Sequence, residues 1–295
     1  MKAGVVYIVL ASMLFASMPA YLQWLPDNVH SIAVIGQRVI WTSVILLLTF
    51  ILRGTLGQTL KPALKLANWP GLLAGTMLIS VPWGLFVWGP LNGETIAVAL
   101  GFFLGPMLIV LIGLLIFKEK MSPLQWLATG LTMIAVCSSI LQTGQFSWIA
   151  TSIALCFASY IVLRKFQPVP VLSAFFIENL TLLPVGIWAC IHFDDVSHPF
   201  VYDMTLLLKF SGIAVLGTLG MNCWLRASER LPLYLLGLIG YLEPLLIFLV
   251  AILVMAEAPA PGEGLTYTLI GIAFLVLIAD GLYHLKVNAG QLRTE

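Results

Sequence analysis

Ten apolar runs, each close to twenty residues long, dominate this 295-residue chain. They fall at about 3 to 24, 30 to 52, 69 to 89, 94 to 117, 122 to 141, 146 to 163, 169 to 192, 206 to 226, 232 to 256 and 264 to 285. A helix of that length spans the ~30 Å of bilayer hydrocarbon. The runs lack the period-two alternation of a membrane barrel, so helices are the spanning form. The expected fold is an all-α integral membrane protein with ten transmembrane helices. Only 9% of residues are charged, against about 25% in a soluble domain, and no polar stretch is long enough for a separate domain. A net charge of +1 leaves no basic surface for nucleic acid. Lys2 alone precedes the first run, and no small-residue cleavage site follows it, so the run reads as a retained helix. Cys137, Cys156, Cys190 and Cys223 are isolated within apolar segments. They form no metal spacing or disulfide framework and read as small buried hydrophobes; no cofactor is implied.

Orientation follows from charge. With both termini on one side, that side collects Lys2, Arg53, Lys61, Lys65, Lys118, Lys120, Arg164, Lys165, Arg226, Arg230, Lys286 and Arg293, and the other side only Lys209. Both termini are therefore expected in the cytoplasm. The alternate turns carry Asp27, Glu94, Asp194, Asp195, Asp203, Glu257 and Glu263. Between Gly54 and Asn68, leucines alternate with Lys61 and Lys65, which suits an interfacial helix serving as an anchor.

The chain also repeats itself. GPMLIVLIGLLIFKEK, from Gly105 to Lys120, resembles EPLLIFLVAILVMAEA, from Glu243 to Ala258, and Pro106 and Glu119 fall 138 positions before Pro244 and Glu257. The segment from Gly130 to Ala135 matches that from Gly271 to Val276. This predicts two five-helix halves, residues 1–142 and 143–295. Because five is odd, the second half enters the membrane inverted, as in carriers that work by alternating access.

The paired repeats, each with a proline, an apolar run and an acidic residue, resemble the EamA type of the drug/metabolite transporter superfamily. QRVIW, LFVWGPLN, LGFFLGP, IENLTLLP and YLEPLLIFLV, in that order, are similar to motifs of its RarD subfamily, and the likeness covers nearly the whole chain. RarD members typically carry a histidine, an asparagine and a glutamate where this chain has Gln37, Pro82 and Ala97. The resemblance implies a permease for a small solute and favours export.

Membrane-buried polar residues are the candidate site, since an arginine at the bilayer centre costs at least about 2.5 kcal/mol. Arg38 lies fifteen residues before Arg53 with only apolar or weakly polar residues between. It either snorkels to the outer interface or meets an anion in a cavity. Gln37 adds an amide beside it. Glu178, with Asn179 next to it in IENL, lies 140 positions after Arg38 and is its expected repeat mate. The two are expected near the midplane, close enough to pair or to share one bound molecule. Glu243 precedes Pro244, whose missing N–H bends a helix and bares a carbonyl; it is the candidate proton-coupling group. Trp83, Trp88, Phe102, Trp224 and Tyr241 stand on spans that line the central cavity in the transporters this chain resembles. With one arginine and two glutamates they would suit a small amphipathic or zwitterionic solute. Asp280 is expected to reach the interface, and Gly101 and Gly105 form a GxxxG suited to close helix packing. HFDDVSH, from His192 to His198, reads as a polar external turn rather than a metal site.

The expected function is a secondary carrier in the cytoplasmic membrane of a bacterium, with lipid and a small organic solute as partners and protons as the candidate coupling ion. A membrane-embedded lipid-modifying enzyme would need a catalytic cluster that the runs do not offer. A non-transporting scaffold is the remaining alternative.

Overall fold

The structure, a computed structural model, describes residues 2–26, 29–92, 94–143, 148–193, 204–254 and 263–291. Its regular elements are α1 (Lys2–Leu22), α2 (Ser31–Leu52), α3 (Leu56–Leu60), α4 (Trp69–Leu91), α5 (Thr95–Leu115), α6 (Pro123–Thr143), α7 (Trp148–Phe166), α8 (Val171–Phe193), α9 (Met204–Ser228), α10 (Leu233–Gly240), α11 (Leu242–Leu253) and α12 (Glu263–Gln291). No strand occurs among the described residues. Seven segments among them are long and apolar enough to cross a membrane: Ala3–Leu22, Ser31–Leu52, Leu66–Gly89, Trp148–Phe166, Val171–Phe193, Met204–Ser228 and Gly264–Gly281. Gly101–Leu115 and Leu233–Ile247 are shorter apolar helices. Large apolar side chains face outward in mid-helix, as at Leu48, Met77, Ile134 and Leu275. In water such a surface would aggregate; in lipid it is solvated.

Small residues set the helix crossings. On α2 and α8, Gly36 and Gly186 meet reciprocally: a Cβ on Gly36 would lie 2.6 Å from the Gly186 carbonyl oxygen, and one on Gly186 would lie 3.2 Å from that of Gly36. The expected GxxxG packing is present. α5 lies on α7 with Gly101 against Ile153 and Ala150, and Gly105 against Phe157 and Ala154. Further contacts join α1 to α9 and α11, α4 to α7 and α8, and α6 to α12. The bend expected before Pro244 appears as the break between α10 and α11 at Tyr241. Pro244 has no N–H for the Gly240 carbonyl, so the helical ladder is interrupted there.

Four expectations need correction. The segment from Gly54 to Asn68 is not one interfacial helix: α3 is followed by two 3-10 turns, Lys61–Leu64 and Leu66–Asn68. Pro62 ends the α-helical ladder, and Asn68 Nδ2 and Trp69 Nε1 donate to the carbonyls of Pro62 and Ala63, each at 2.9 Å. Asp280 is not a freely exposed side chain at a helix end. It is buried and accepts hydrogen bonds from Ser122 Oγ (2.8 Å) and Gln125 Nε2 (2.7 Å). Those two residues form a reciprocal capping box at the start of α6. Arg164, counted above as a loop charge, is buried. Cys137 is exposed, Cys156 and Cys223 are half-buried, and only Cys190 is fully buried. Asp194 to His198 of HFDDVSH, the acidic turn residues Asp27, Asp203 and Glu257, and Arg293 lie outside the described residues.

Candidate solute cavity

Arg38 sits seven residues into α2, about 10 Å from its start, and is only 3% exposed. It does not snorkel. Its guanidinium carbon lies 4.3 Å from the centroid of the Trp83 ring on α4, a cation–π contact. Gly217 of α9 backs it, since a Cβ there would come within 3.1 Å of Nε and Nη2. Nε and Nη1 find no hydrogen-bond partner among the described residues, and no described carboxylate lies within ion-pair distance. Gln37, also buried, makes contacts of its own.

Arg38 borders a small, partly open cavity whose free space holds about one water molecule. The rings of Phe15, Trp83, Phe86, Phe102 and Phe157 make most of its wall, with Pro82 and Met221 between them. Phe86 meets Phe102 edge-on at 5.2 Å, and Phe157 meets Trp224 at 5.1 Å. The remaining wall residue is Glu243, in the first turn of α11 and 7% exposed. The indole N–H of Trp224 is near enough to the Glu243 carboxyl to act on it, although the pair falls short of hydrogen-bond geometry and Trp224 Nε1 has no described partner. One guanidinium and one carboxyl thus share an apolar cavity without touching.

Glu178 is elsewhere, which corrects the expected pairing with Arg38. Its carboxylate lies 3.0 Å from Arg164 Nη2 and accepts a hydrogen bond from the Tyr160 hydroxyl at 2.9 Å. Gly75 of α4 closes over this pair, with a virtual Cβ 2.5 Å from Arg164 Nη2. Hairpin geometry brings the two charges together. Arg164 stands two residues before the end of α7 and Glu178 seven after the start of α8, an offset of about 7 Å that an arginine side chain covers. Tyr160 stands one turn before Arg164 on the same face.

Of the aromatic residues named from the sequence, Trp83 and Phe102 line the cavity and Trp224 stands behind Phe157. Tyr241 does not face it; its ring packs with Phe103, Ala135 and Ile270. Trp88 is half-buried outside the wall, and its carbonyl accepts from Asn92 Nδ2 at 2.7 Å. Asn179 is buried and donates to the Phe175 carbonyl of its own helix at 2.8 Å.

A contact unforeseen from the sequence joins α10 to the turn after α5. Glu119 Oε1 and Oε2 accept from the backbone N–H groups of Leu233 (2.9 Å) and Tyr234 (2.8 Å), capping a helix 114 residues away with negative charge where the helix dipole favours it. Glu119→Ala is expected to lower stability by about 1 to 2 kcal/mol, the usual cost of a lost cap, and to speed amide exchange at Leu233 and Tyr234. Unchanged protection of those two amides would remove the cap.

Comparison with known proteins gives this cavity a context. Residues 2–141 match the EamA-like transporter family. The chloramphenicol-sensitive protein RarD of Pseudomonas aeruginosa is 33% identical, over 97% of this chain and 97% of its own. The chain belongs to the EamA-like transporter family. Within that family it is a RarD-like permease. A protein RarD of Salmonella typhimurium is 29% identical over 96% of each chain, and an uncharacterized transporter of Haemophilus influenzae is 31% identical over 96% of this chain and 95% of its own. A solved crystal structure of 16% identity superposes on 93% of this chain and 96% of its own with a TM-score of 0.72, which supports the fold alone. EamA proteins are transporters, so this chain is a multi-pass membrane transporter rather than a member of an enzyme family.

Proposed function

We propose that the protein is an alternating-access carrier that moves a small organic metabolite or drug-like solute across a bacterial cytoplasmic membrane. The cavity carries this reading. A guanidinium with two unbonded nitrogens, buried in a ring-lined space, costs stability unless an anion visits it. Arg38, Trp83 and Phe102 would contact the solute, with Gln37 and Trp224 supporting them and Glu243 as the proton-coupling group. Glu178, Asn179, Trp88 and Tyr241 would frame the site from outside.

Ten spans in two inverted halves, 1–142 and 143–295, are part of the same proposal, with α5, α6 and the broken pair α10 and α11 completing the set. The packing supports it: α1 lies on α9 as α7 lies on α4, and α2 meets α8 glycine to glycine. Arg38 and Glu178 are each backed by a glycine of the opposite half, Gly217 behind Arg38 and Gly75 behind Glu178. Gly75 and Gly217 are 142 positions apart, Arg38 and Glu178 140. The lopsided basic residues put both termini in the cytoplasm.

Purified protein in liposomes tests the reading. Counterflow of solutes drawn from a thermal-shift screen supports the carrier; lipid turnover without counterflow would mean an enzyme, and neither a scaffold. Glu243→Gln is expected to abolish accumulation driven by a pH gradient while solute exchange persists. Gradient-driven accumulation at the parental rate in that variant would make Glu243 structural.

A further inference from the structure

The charges on the cavity wall restrict what can enter. Arg38 offers donors and Glu243 a carboxyl, and every other described wall residue is a ring, a proline or a methionine. A cationic solute would meet Arg38 as a like charge and find the Trp83 face already occupied by the guanidinium. An ammonium group brings three donors, and the wall offers it the single carboxyl of Glu243. A dianion would face one cation only. What remains is a single anionic group on an apolar body.

A second restriction is charge balance. With Glu243 ionised, the empty cavity holds one positive and one negative charge and is neutral overall. An entering anion would leave a net negative charge in a space of low dielectric, where an uncompensated ion is strongly disfavoured. A proton on Glu243 restores neutrality. Resting on the carrier reading, we propose that the cavity binds an organic monoanion on Arg38 together with one proton on Glu243. The balance is simple: solute carboxylate, Glu243 carboxylate and one proton become a carboxylate held by Arg38 and a neutral Glu243 carboxyl. One O–H bond forms and nothing is oxidised or reduced.

The elements packed on α11 supply no competing described group at the cavity. α5 carries no titratable residue. On α1, Tyr7 lies under Arg226 and Arg230, and Tyr21 lies against Trp24. On α12, Tyr267 packs on Phe103, and Asp280 is bonded to Ser122 and Gln125. Cys223 adjoins Trp224 on α9 but is not part of the wall. Arg38 and Glu243 are thus the two charged groups that face the solute among the described residues.

Benzoate is the probe and phenylalanine, the same ring on a zwitterion, the comparator. Binding to the purified full-length protein is followed by tryptophan fluorescence, and proton uptake by an indicator in weak buffer. At pH values where the empty protein has Glu243 ionised, the parent is expected to take up one proton per benzoate, with an apparent Kd that rises tenfold per pH unit. Glu243→Gln should bind benzoate with no proton uptake and a flat pH profile. Arg38→Gln should lose benzoate binding by at least about thirtyfold, as expected for a lost charge-assisted pair. The proposal is overturned if the parent ignores benzoate, prefers phenylalanine, or binds benzoate without proton uptake at every pH. Proton uptake retained in Glu243→Gln, or benzoate affinity retained in Arg38→Gln, would overturn it as well. Counterflow of some other solute alongside any of these results would leave the carrier reading standing and remove this one.

Discussion

Arg38→Met is expected to abolish transport while leaving the protein at least as stable as the parent. The two effects separate because Arg38 stabilises so little of the fold around it. Two of its nitrogens are buried without a hydrogen-bond partner, and no described carboxylate lies within ion-pair distance of it. Such a group destabilises the empty state, offset only by the cation–π contact with Trp83, worth about 0.5 to 2 kcal/mol. Methionine keeps the apolar stem and removes the desolvated charge. Binding of an anion then loses its counter-charge, about 2 to 5 kcal/mol, or roughly thirty-fold to several thousand-fold in affinity. Arg38→Lys should also bind poorly, because an ammonium lacks the forked geometry of guanidinium on a carboxylate. Thermal unfolding in detergent and uptake into liposomes read the two effects separately. Near-parental transport by Arg38→Met, with equal protein in the membrane, would leave Arg38 as a packing residue.

Much of the fold was legible because lipid simplifies the code. Twenty apolar residues form a helix wherever unpaired backbone groups cannot be tolerated, and seven of the expected spans meet the length and hydropathy requirement. Arg38 and Glu243 could be picked out because a charge within an apolar run is costly. Partners were harder to read. Arg164 ends a helix and looked like a loop charge; only the short turn between α7 and α8 brings it level with Glu178. The repeat offset of 140 positions paired Arg38 with Glu178 by symmetry, but pseudo-symmetry relates positions, not contacts. Ring orientation was equally hidden. Trp83 and Tyr241 read alike in sequence, yet the first borders the cavity and the second packs toward Ile270, because rotation about a helix axis is decided by tertiary packing. The cap from Glu119 was invisible for the same reason: its partners are backbone amides 114 and 115 residues distant.

The buried pair Arg164 and Glu178 should behave oppositely to Arg38. Both side chains are essentially inaccessible, at 1% and 0%, and each is committed to the other, with Tyr160 donating to the second carboxylate oxygen. Removing one partner strands the other charge, a change that costs about 3 to 5 kcal/mol in comparable buried pairs. Arg164→Met is therefore expected to lower the unfolding temperature markedly or to deplete the protein from the membrane. Glu178→Gln should do less harm than Glu178→Leu, since glutamine keeps a carbonyl for the Tyr160 hydroxyl. The double variant Arg164→Met with Glu178→Leu removes both charges, and replacing a whole buried pair with apolar groups is often neutral, so it should recover most of the lost stability. Gly75 supplies an independent check. A Cβ there would collide with Glu178 Oε1, so Gly75→Val should push the pair apart and destabilise the parent, yet be less harmful in the double variant, whose apolar side chains can repack. Thermal unfolding of these variants in one detergent decides the matter: if Arg164→Met unfolds at the parental temperature, the pair is not what holds α4, α7 and α8 together.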